Sequence, residues 1–417
     1  MQDDTRCGPV SLYLHFPFCV RKCRYCDFLS GPAAAKEREE YIQTLCLEIE
    51  LRAAEVPAGV DTVFIGGGTP SLMTPDQAER VMAAIRRSYV LADDAEISME
   101  VNPGTADADK LCAFRKVGIN RLSIGVQSFD DGELKLLGRI HTADQAREIM
   151  SAAREAGFQN INLDLMSALP GQSVLSWERS LQEAVRQAPE HISAYSLIIE
   201  EGTPFAAMAL PALPSEEEDR EMYHFTKHFL ASNGYRRYEI SNYAREGFEC
   251  RHNCGYWTGH DYLGLGLGAS SCLGGERFRN PDRMEEYREA VKRMDDDRPD
   301  PPAFSAMRCG REILTTMDRM EEFMFLGLRM TDGVSEKEFE RRFGVPLQEV
   351  FADVLKRHLD QNVICRIPVR RQGDAAGTGD MAGSRAAAGI GEASDLRIAL
   401  TEYGMDVANY VMADYLL

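Results

Sequence analysis

The sequence predicts an α/β protein: a parallel sheet, doubly wound or curled into a barrel, followed by a smaller helical domain. Three observations predict it. Short runs rich in Val, Ile, Leu and aromatics recur between residues 10 and 197, each closed by Gly, Pro, Asn or Ser. Amphipathic stretches of helical length separate them, and such alternation gives a parallel sheet, doubly wound or curled into a barrel. A charged, Pro-rich segment at 295–302 (DDDRPDPP) then reads as a linker before a region with its own helical pattern.

Taken in order, the strand candidates are 10–16, 61–66, 95–101, 120–125, 160–166 and 191–197. The helix candidates between them are 36–55, 75–89, 106–117, 142–156 and 174–187. Thr74-Pro75 and Thr142-Ala143-Asp144 stand where a helix cap and first turn belong. Residues 1–210 are therefore assigned to the barrel. An extension, 211–300, holds a helix at 216–232 and a Gly- and aromatic-rich loop region at 252–278. Residues 301–417 form the C-terminal domain, with helices at 322–328, 335–343 and 346–361 and a strand at 363–369. Within it, 373–394 holds 6 Gly, 7 Ala and no aromatic residue, and reads as a flexible insertion.

Composition narrows the function. The 417 residues carry 47 basic and 66 acidic side chains, a net charge of −19, which argues against a general nucleic-acid surface. No apolar run approaches the roughly 18 residues of a membrane span. The first residues, MQDDTRCGPV, lack the basic-then-apolar layout of a signal peptide, so a cytoplasmic location is expected. Eleven cysteines there are not expected to form a disulfide framework.

The sharpest motif is Cys19-Val-Arg-Lys-Cys23-Arg-Tyr-Cys26, directly after the first strand. Three thiols on a loop at a strand's C-terminal end can converge on one metal centre, and Arg21, Lys22 and Arg24 favour thiolate. Zinc is one reading, with Cys7 or His15 as a fourth ligand. A four-iron, four-sulfur cluster with one open iron is the other.

The C-x3-C-x2-C spacing and the flanking Tyr13-Leu-His15-Phe-Pro17-Phe18 resemble the radical S-adenosylmethionine (SAM) superfamily. Within it, the sequence resembles the oxygen-independent coproporphyrinogen III oxidase branch, and most nearly its haem-chaperone subgroup. The resemblance runs from Tyr13 to the C-terminal LTEYGMDVANYV. It implies a [4Fe-4S] cluster on Cys19, Cys23 and Cys26, whose open iron takes the amino and carboxyl groups of SAM. Electron transfer then cleaves the sulfonium to methionine and a 5′-deoxyadenosyl radical, with an electron donor such as flavodoxin or ferredoxin. It also implies the α/β fold of a partial (β/α)6 radical SAM barrel with a C-terminal helical, winged-helix-like domain. That domain's 13 basic and 18 acidic residues (311–417) argue for a scaffold or substrate lid rather than DNA binding.

Other strand ends add to the site. Gly66-Gly67-Gly68-Thr69-Pro70 follows the second strand, without the Lys-Ser/Thr of a phosphate loop or the third Gly of a dinucleotide fingerprint. Glycines there allow close backbone approach, and free N–H groups could meet a carboxylate. Glu100, Gln127, Arg139 with His141, and Asp164 sit at or after the next strands. By resemblance Tyr13, Tyr25, Gly67, Gly68, Thr69, Glu100, Gln127, Arg139 and Asp164 bind SAM. Acids and amides suit ribose hydroxyls and an ammonium, and Arg suits a carboxylate. The family's Ile-Tyr-Gly-Leu-Pro-Gly-Gln is here Met166-Ser167-Ala168-Leu-Pro-Gly-Gln172, a departure beside Asp164. Gly264-Leu-Gly266-Leu-Gly268-Ala269 matches a nucleotide motif formally, but no helical pattern follows and the reading is rejected.

Two features separate the branches. The decarboxylating members usually carry a fourth cysteine where Phe28 stands, and a longer N-terminal extension. Cys250-Arg-His252-Asn-Cys-Gly-Tyr256-Trp257 instead matches the HNxxYW motif of the chaperone subgroup. Imidazole or thiolate can ligate haem iron, and aromatics can cover a porphyrin face. The expectation is a protein that binds haem through His252, with Cys250, Tyr256 and Trp257 as further contacts, and hands it to acceptor proteins. A porphyrin-modifying radical SAM enzyme is the alternative.

Overall fold

The computed structural model describes residues 8–296, 305–368 and 396–416. The six expected strands form as β1 (Val10–Phe16), β2 (Val60–Gly67), β3 (Leu91–Val101), β4 (Arg121–Gln127), β5 (Ile161–Ser167) and β6 (His191–Ser196). They lie side by side in chain order and every adjacent pair is parallel. A doubly wound sheet reverses its order part-way. Unbroken order with right-handed crossovers puts all helices on one face and curls the sheet around the other. The helices are α1 (Ala35–Leu51), α2 (Pro75–Ser88), α3 (Ala108–Lys116), α4 (Asp131–Leu137), α5 (Ala143–Glu155) and α6 (Val174–Arg186). Thr74 with Gln77, and Thr142 with Gln145, close the reciprocal capping pairs at the starts of α2 and α5. The short α4 was not expected, although Asp130 caps its start and Gly138, left-handed at φ 75°, ends it.

The two faces of the sheet differ chemically. Leu12, Leu14, Val63, Ile65, Met99, Leu122, Ile124, Ile161, Leu163 and Ile192 are fully or almost fully buried in the core under the helices. The alternate positions, Tyr13, Glu100, Ser123, Asn162, Asp164, Ser193 and Tyr195 among them, line a cavity on the inner face.

The 252–278 region departs from its expected loop. It forms the helix Arg251–Trp257 and the strands Tyr262–Leu265, Ser270–Leu273 and Glu276–Arg279. Tyr262–Leu265 pairs parallel with β1, and Cys309–Ile313 continues the same sheet beyond Glu276–Arg279. The glycines are packing devices: a Cβ on Gly264 would sit 2.2 Å from the Ser270 carbonyl oxygen. Because these strands extend one sheet, the extension shares a compact unit with the barrel. That unit holds the described residues to Arg237, with Ser241–Tyr256 and His260–Ile313, so the division falls after Ile313 rather than at 300.

The second unit comprises Tyr238–Ile240, Trp257–Gly259 and the described residues from Leu314 on. Its main helices, Thr316–Gly327, Glu336–Phe343 and Leu347–Asp360, accompany a three-stranded antiparallel sheet of Val334–Ser335, Leu396–Leu400 and Ile364–Pro368. Phe339, Leu347, Phe351, Ile364 and Ile398 centre its separate core. The expected insertion at 373–394 lies outside the described residues. No helix among the described residues is long and apolar enough to cross a membrane.

Candidate functional site: a thiol-rimmed cavity in the sheet

The cysteine loop leaves β1 and is pinned by backbone bonds. The Cys19 N–H donates to the Gly31 carbonyl (3.0 Å), and the Arg24 N–H donates to the Leu137 carbonyl at the end of α4 (3.0 Å). The Arg21 guanidinium donates to the Gly138 carbonyl at 2.8 Å. Cys19, Cys23 and Cys26 all line the inner-face cavity, which has a volume of about 720 Å³. Burial holds Cys19 and Cys26 toward the thiol, against the opposing pull of Lys22 on both. Arg139 donates to the Cys23 Sγ (3.6 Å), to Asn102 Oδ1 (2.6 Å) and to the Gly125 carbonyl. Its Nε is buried with no partner in the protein, an arrangement suited to an anionic guest.

All ten described cysteines are unbridged. No three His, Cys, Asp or Glu side chains among the described residues gather closely enough to hold a single metal ion. His15 is not a candidate fourth zinc ligand, because both ring nitrogens are occupied: Tyr13 Oη lies 3.0 Å from Nδ1 and the Leu29 carbonyl 2.8 Å from Nε2. Cys7 lies outside the described residues.

The glycine turn after β2 differs from its expected role. Gly67 takes φ 110°, and a Cβ there would fall 2.5 Å from the His15 ring. Its N–H groups are not free. Gly67 donates to Glu100 Oε2 (3.0 Å), Gly68 to the Phe16 carbonyl (2.8 Å) and Thr69 to the Phe18 carbonyl (2.7 Å). The turn therefore holds Glu100 and the start of the cysteine loop, and contributes surface rather than open donors.

Opposite the thiols stand two deep carboxylates. Glu100 is pushed up to about 8, first by burial and then by the charge of Asp164. Asp164 is also raised by burial, opposed by Asn162 (2.7 Å to Oδ1) and Ser123 (3.1 Å to Oδ2). Burial thus disfavours charge on both carboxyls, although Arg121 also lines the cavity and pulls on Asp164, and a cationic ligand beside them would favour their charged forms. Gln127 ends β4 at φ 67°, a strained conformation for a side-chain-bearing residue, and accepts a bond from Tyr195 Oη (2.9 Å). Ala168 is likewise left-handed, φ 54°, at the position where the resembled pattern has Gly. His141 stays outside the cavity, bonded to the Val126 carbonyl (3.2 Å).

Sequence reasoning missed Arg121, Ser123, Asn162, Ser193 and Tyr195, all of which line the cavity. The available signal was alternation: Arg121, Ser123 and Gln127 in β4, Asn162 and Asp164 in β5, and His191, Ser193 and Tyr195 in β6 fall on alternate positions.

The four candidate haem contacts are not brought together. His252 and Tyr256 line the cavity, whereas Cys250 and Trp257 do not. Cys250 is fully buried, its Sγ 3.5 Å from Glu96. Trp257 belongs to the second unit, where the Arg329 guanidinium lies 4.2 Å over its ring. His252 is buried, stacked on Phe64, and lowered to about 3 by burial and by the Arg121 charge. Its Nδ1 lies 2.8 Å from Thr62 Oγ1, whose hydroxyl proton goes to Ser11 Oγ, so Nδ1 carries the hydrogen. Nε2 then accepts from Tyr256 Oη at 2.9 Å. Both ring nitrogens of His252 therefore have hydrogen-bond partners within the protein.

A parallel barrel sheet with three thiols at the mouth of its cavity and paired carboxylates within defines a radical SAM type of protein. The Radical SAM superfamily profile matches residues 13–184, and the HemN C-terminal domain profile matches residues 314–370. The chain belongs to the HemW family of that superfamily. It is 37% identical over 359 residues to "Heme chaperone HemW" of Bacillus subtilis, covering 85% of this chain and 92% of that one. The Escherichia coli protein of the same name is 41% identical, covering 63% and 69%. A mouse relative, "Radical S-adenosyl methionine domain-containing protein 1, mitochondrial", is 36% identical over 80% of this chain and 76% of its own. The solved coproporphyrinogen III oxidase of E. coli aligns with TM-score 0.79 at 24% identity, over 99% of this chain and 91% of that one, and establishes the shared fold.

Proposed function

We propose that this chain is a cytoplasmic haem chaperone that carries a [4Fe-4S] cluster and SAM and passes haem to acceptor proteins. The observation that carries the cofactor reading is the opposition, across one cavity, of three thiols with Arg139 and two raised carboxyls. Cys19, Cys23 and Cys26 would hold the cluster. The unpartnered Nε of Arg139 fits the carboxylate end of SAM, while Glu100 and Asp164 fit its cationic centres and ribose hydroxyls. At about 720 Å³ the cavity is in the size range of small-molecule sites. Bound together, cluster and SAM supply one-electron reductive cleavage of the sulfonium.

The chain's own residues position and shield. Arg139 donates to the Cys23 sulfur, to Asn102 and to the Gly125 carbonyl, and so ties the cysteine loop to the end of β4. Tyr195 fixes Gln127. His252 holds Tyr256 on the cavity wall, and we assign it this positioning role rather than iron ligation.

Anaerobic reconstitution followed by iron and sulfide analysis, SAM titration and haem titration tests the reading. Iron and sulfide on the parent chain, lost from each Cys→Ala variant, together with saturable haem binding, is the expected result. Stoichiometric zinc without sulfide overturns the cluster, and failure to bind haem overturns the chaperone role.

A further inference from the structure

We propose that the outer face of the cysteine loop docks an acidic one-electron carrier protein, with Cys23 as the point of electron entry. The inference rests on the cluster reading above and adds where the reductant lands.

Cys23 has two open sides. Besides the large cavity, it lines a small separate recess of about 20 Å³ with Val20, Arg21, Asn102, Arg139 and Ile140. Arg21, Cys23, Thr69, Asn102 and Arg139 form the wall that recess and cavity share. A carrier at the recess therefore reaches the cysteine without passing through the guest's chamber. Val20 and Ile140 at its rim are 53% and 45% exposed, a costly display that two docked surfaces would cover.

Charge selects the partner. Arg21, Lys22 and Arg24 on the loop, and Lys135 on α4, are all exposed. Arg21 and Arg24 donate only to backbone carbonyls, and none of the four forms an ion pair among the described residues. Several other exposed and half-buried arginines are paired, as Arg80, Arg87, Arg147, Arg154 and Arg251 are with carboxylates. Asp27 is the only carboxylate of 20–30; like Arg21 and Lys22 it is exposed at the cavity's edge, and one acid leaves the four cations in excess. A compact cluster of unpaired cations, on a chain of net charge −19, steers an acidic partner to this one place. In the docked complex one electron leaves the reduced carrier, which is oxidised by one electron, and the bound cluster is reduced by one. No proton or bond change is required.

The test titrates cluster-loaded protein with an oxidised flavodoxin, an acidic carrier, and reads binding directly across a salt series. Lys135→Glu and Ile140→Ser, neither lining the large cavity, are compared with the parent. Each is expected to weaken flavodoxin binding by roughly two- to fivefold, and the charge reversal to flatten the salt dependence. SAM cleavage driven by dithionite should stay at the parent rate, because a small chemical reductant needs no docking face. Variants that bind flavodoxin like the parent, with the same salt dependence, overturn the assignment. A parent that holds its cluster and cleaves SAM with dithionite yet binds no flavodoxin at low salt also overturns it, and leaves the cofactor reading standing. A parent that takes up no iron overturns the reading beneath it.

Discussion

The loop of residues 19–26 and the helix Arg251–Trp257 both carry side chains of kinds able to ligate iron, and they are built in opposite ways. In the loop the backbone is tied down, by Gly31, Leu137 and Gly138, while the three thiols face the cavity. In the helix the side chains themselves are tied down. Both His252 nitrogens are bonded, Cys250 is buried against Glu96, and Trp257 lies under Arg329. A ligating residue is recognised by an uncommitted lone pair on a fixed scaffold, more than by residue type. All three loop thiols border the cavity, with Arg139 on Cys23 as one partner, whereas in the helix both imidazole nitrogens are engaged within the protein.

The largest effect that would sharpen this contrast is all-or-none. Replacing Cys19, Cys23 or Cys26 with Ala should remove bound iron and sulfide completely, with the fold intact. Cys250→Ala should retain both and cost about 1 kcal/mol of stability, the usual size for trimming a buried side chain. Iron analysis and thermal unfolding separate the two outcomes, and equal iron loss from Cys250→Ala would break the comparison.

The next effect concerns Glu100. Its folded-state pKa is raised to about 8, so the unliganded protein binds a proton there that the unfolded chain loses near pH 4.5. The contribution of Glu100 to stability is therefore unfavourable as pH rises from about 4.5 to 8. A cationic ligand expels that proton, so SAM affinity should rise with pH up to about 8, by at most about tenfold per unit, and level off above. Calorimetry in buffers of different ionisation enthalpy should register proton release at pH 7. Glu100→Gln should abolish the release and weaken SAM binding roughly tenfold.

His252→Ala is expected to cost about 1–3 kcal/mol, because it strands the Thr62 and Tyr256 hydroxyls in a buried setting. SAM binding should weaken through the loosened Tyr256 wall, while haem affinity and the Soret band stay at parental values. A shifted Soret band in this variant would return His252 to the role of iron ligand.

Much of this arrangement was legible in the sequence, for identifiable physical reasons. Strands β1 to β6 announce themselves because a sheet packed under helices demands apolar runs, and α2 and α5 because their capping boxes are local. The loop of residues 19–26 was legible because its three cysteines are close in sequence as well as in space. What stayed hidden depends on pairing between distant segments. Arg121, Ser123 and Asn162 become cavity residues only once neighbouring strands set their register. The strands between Tyr262 and Arg279 were obscured by glycines whose purpose is contact with Ser270, His15 and Tyr41. The pairing of His252 Nδ1 could not be read at all, since Thr62 lies 190 residues away.

The smallest expected effect is at the end of the same helix. Trp257 was expected to cover a porphyrin face, but its ring serves the Arg329 guanidinium, and its Nε1 is buried with no partner. Trp257→Phe keeps an aromatic face beneath the cation and removes an N–H that gains nothing from folding. The loss is the difference between a strong and a weaker cation–π partner, about 0.5–1 kcal/mol, partly offset by deleting the unsatisfied donor. Thermal unfolding should therefore shift by only a few degrees at most, and iron content, SAM affinity and haem affinity should all match the parent. A tenfold loss of haem affinity at unchanged stability would show that Trp257 contacts the porphyrin after all. In that case the helix Arg251–Trp257 would be a ligand site despite its satisfied hydrogen bonds, and the contrast with the cysteine loop would have to be drawn from exposure of the ring face instead of from lone pairs.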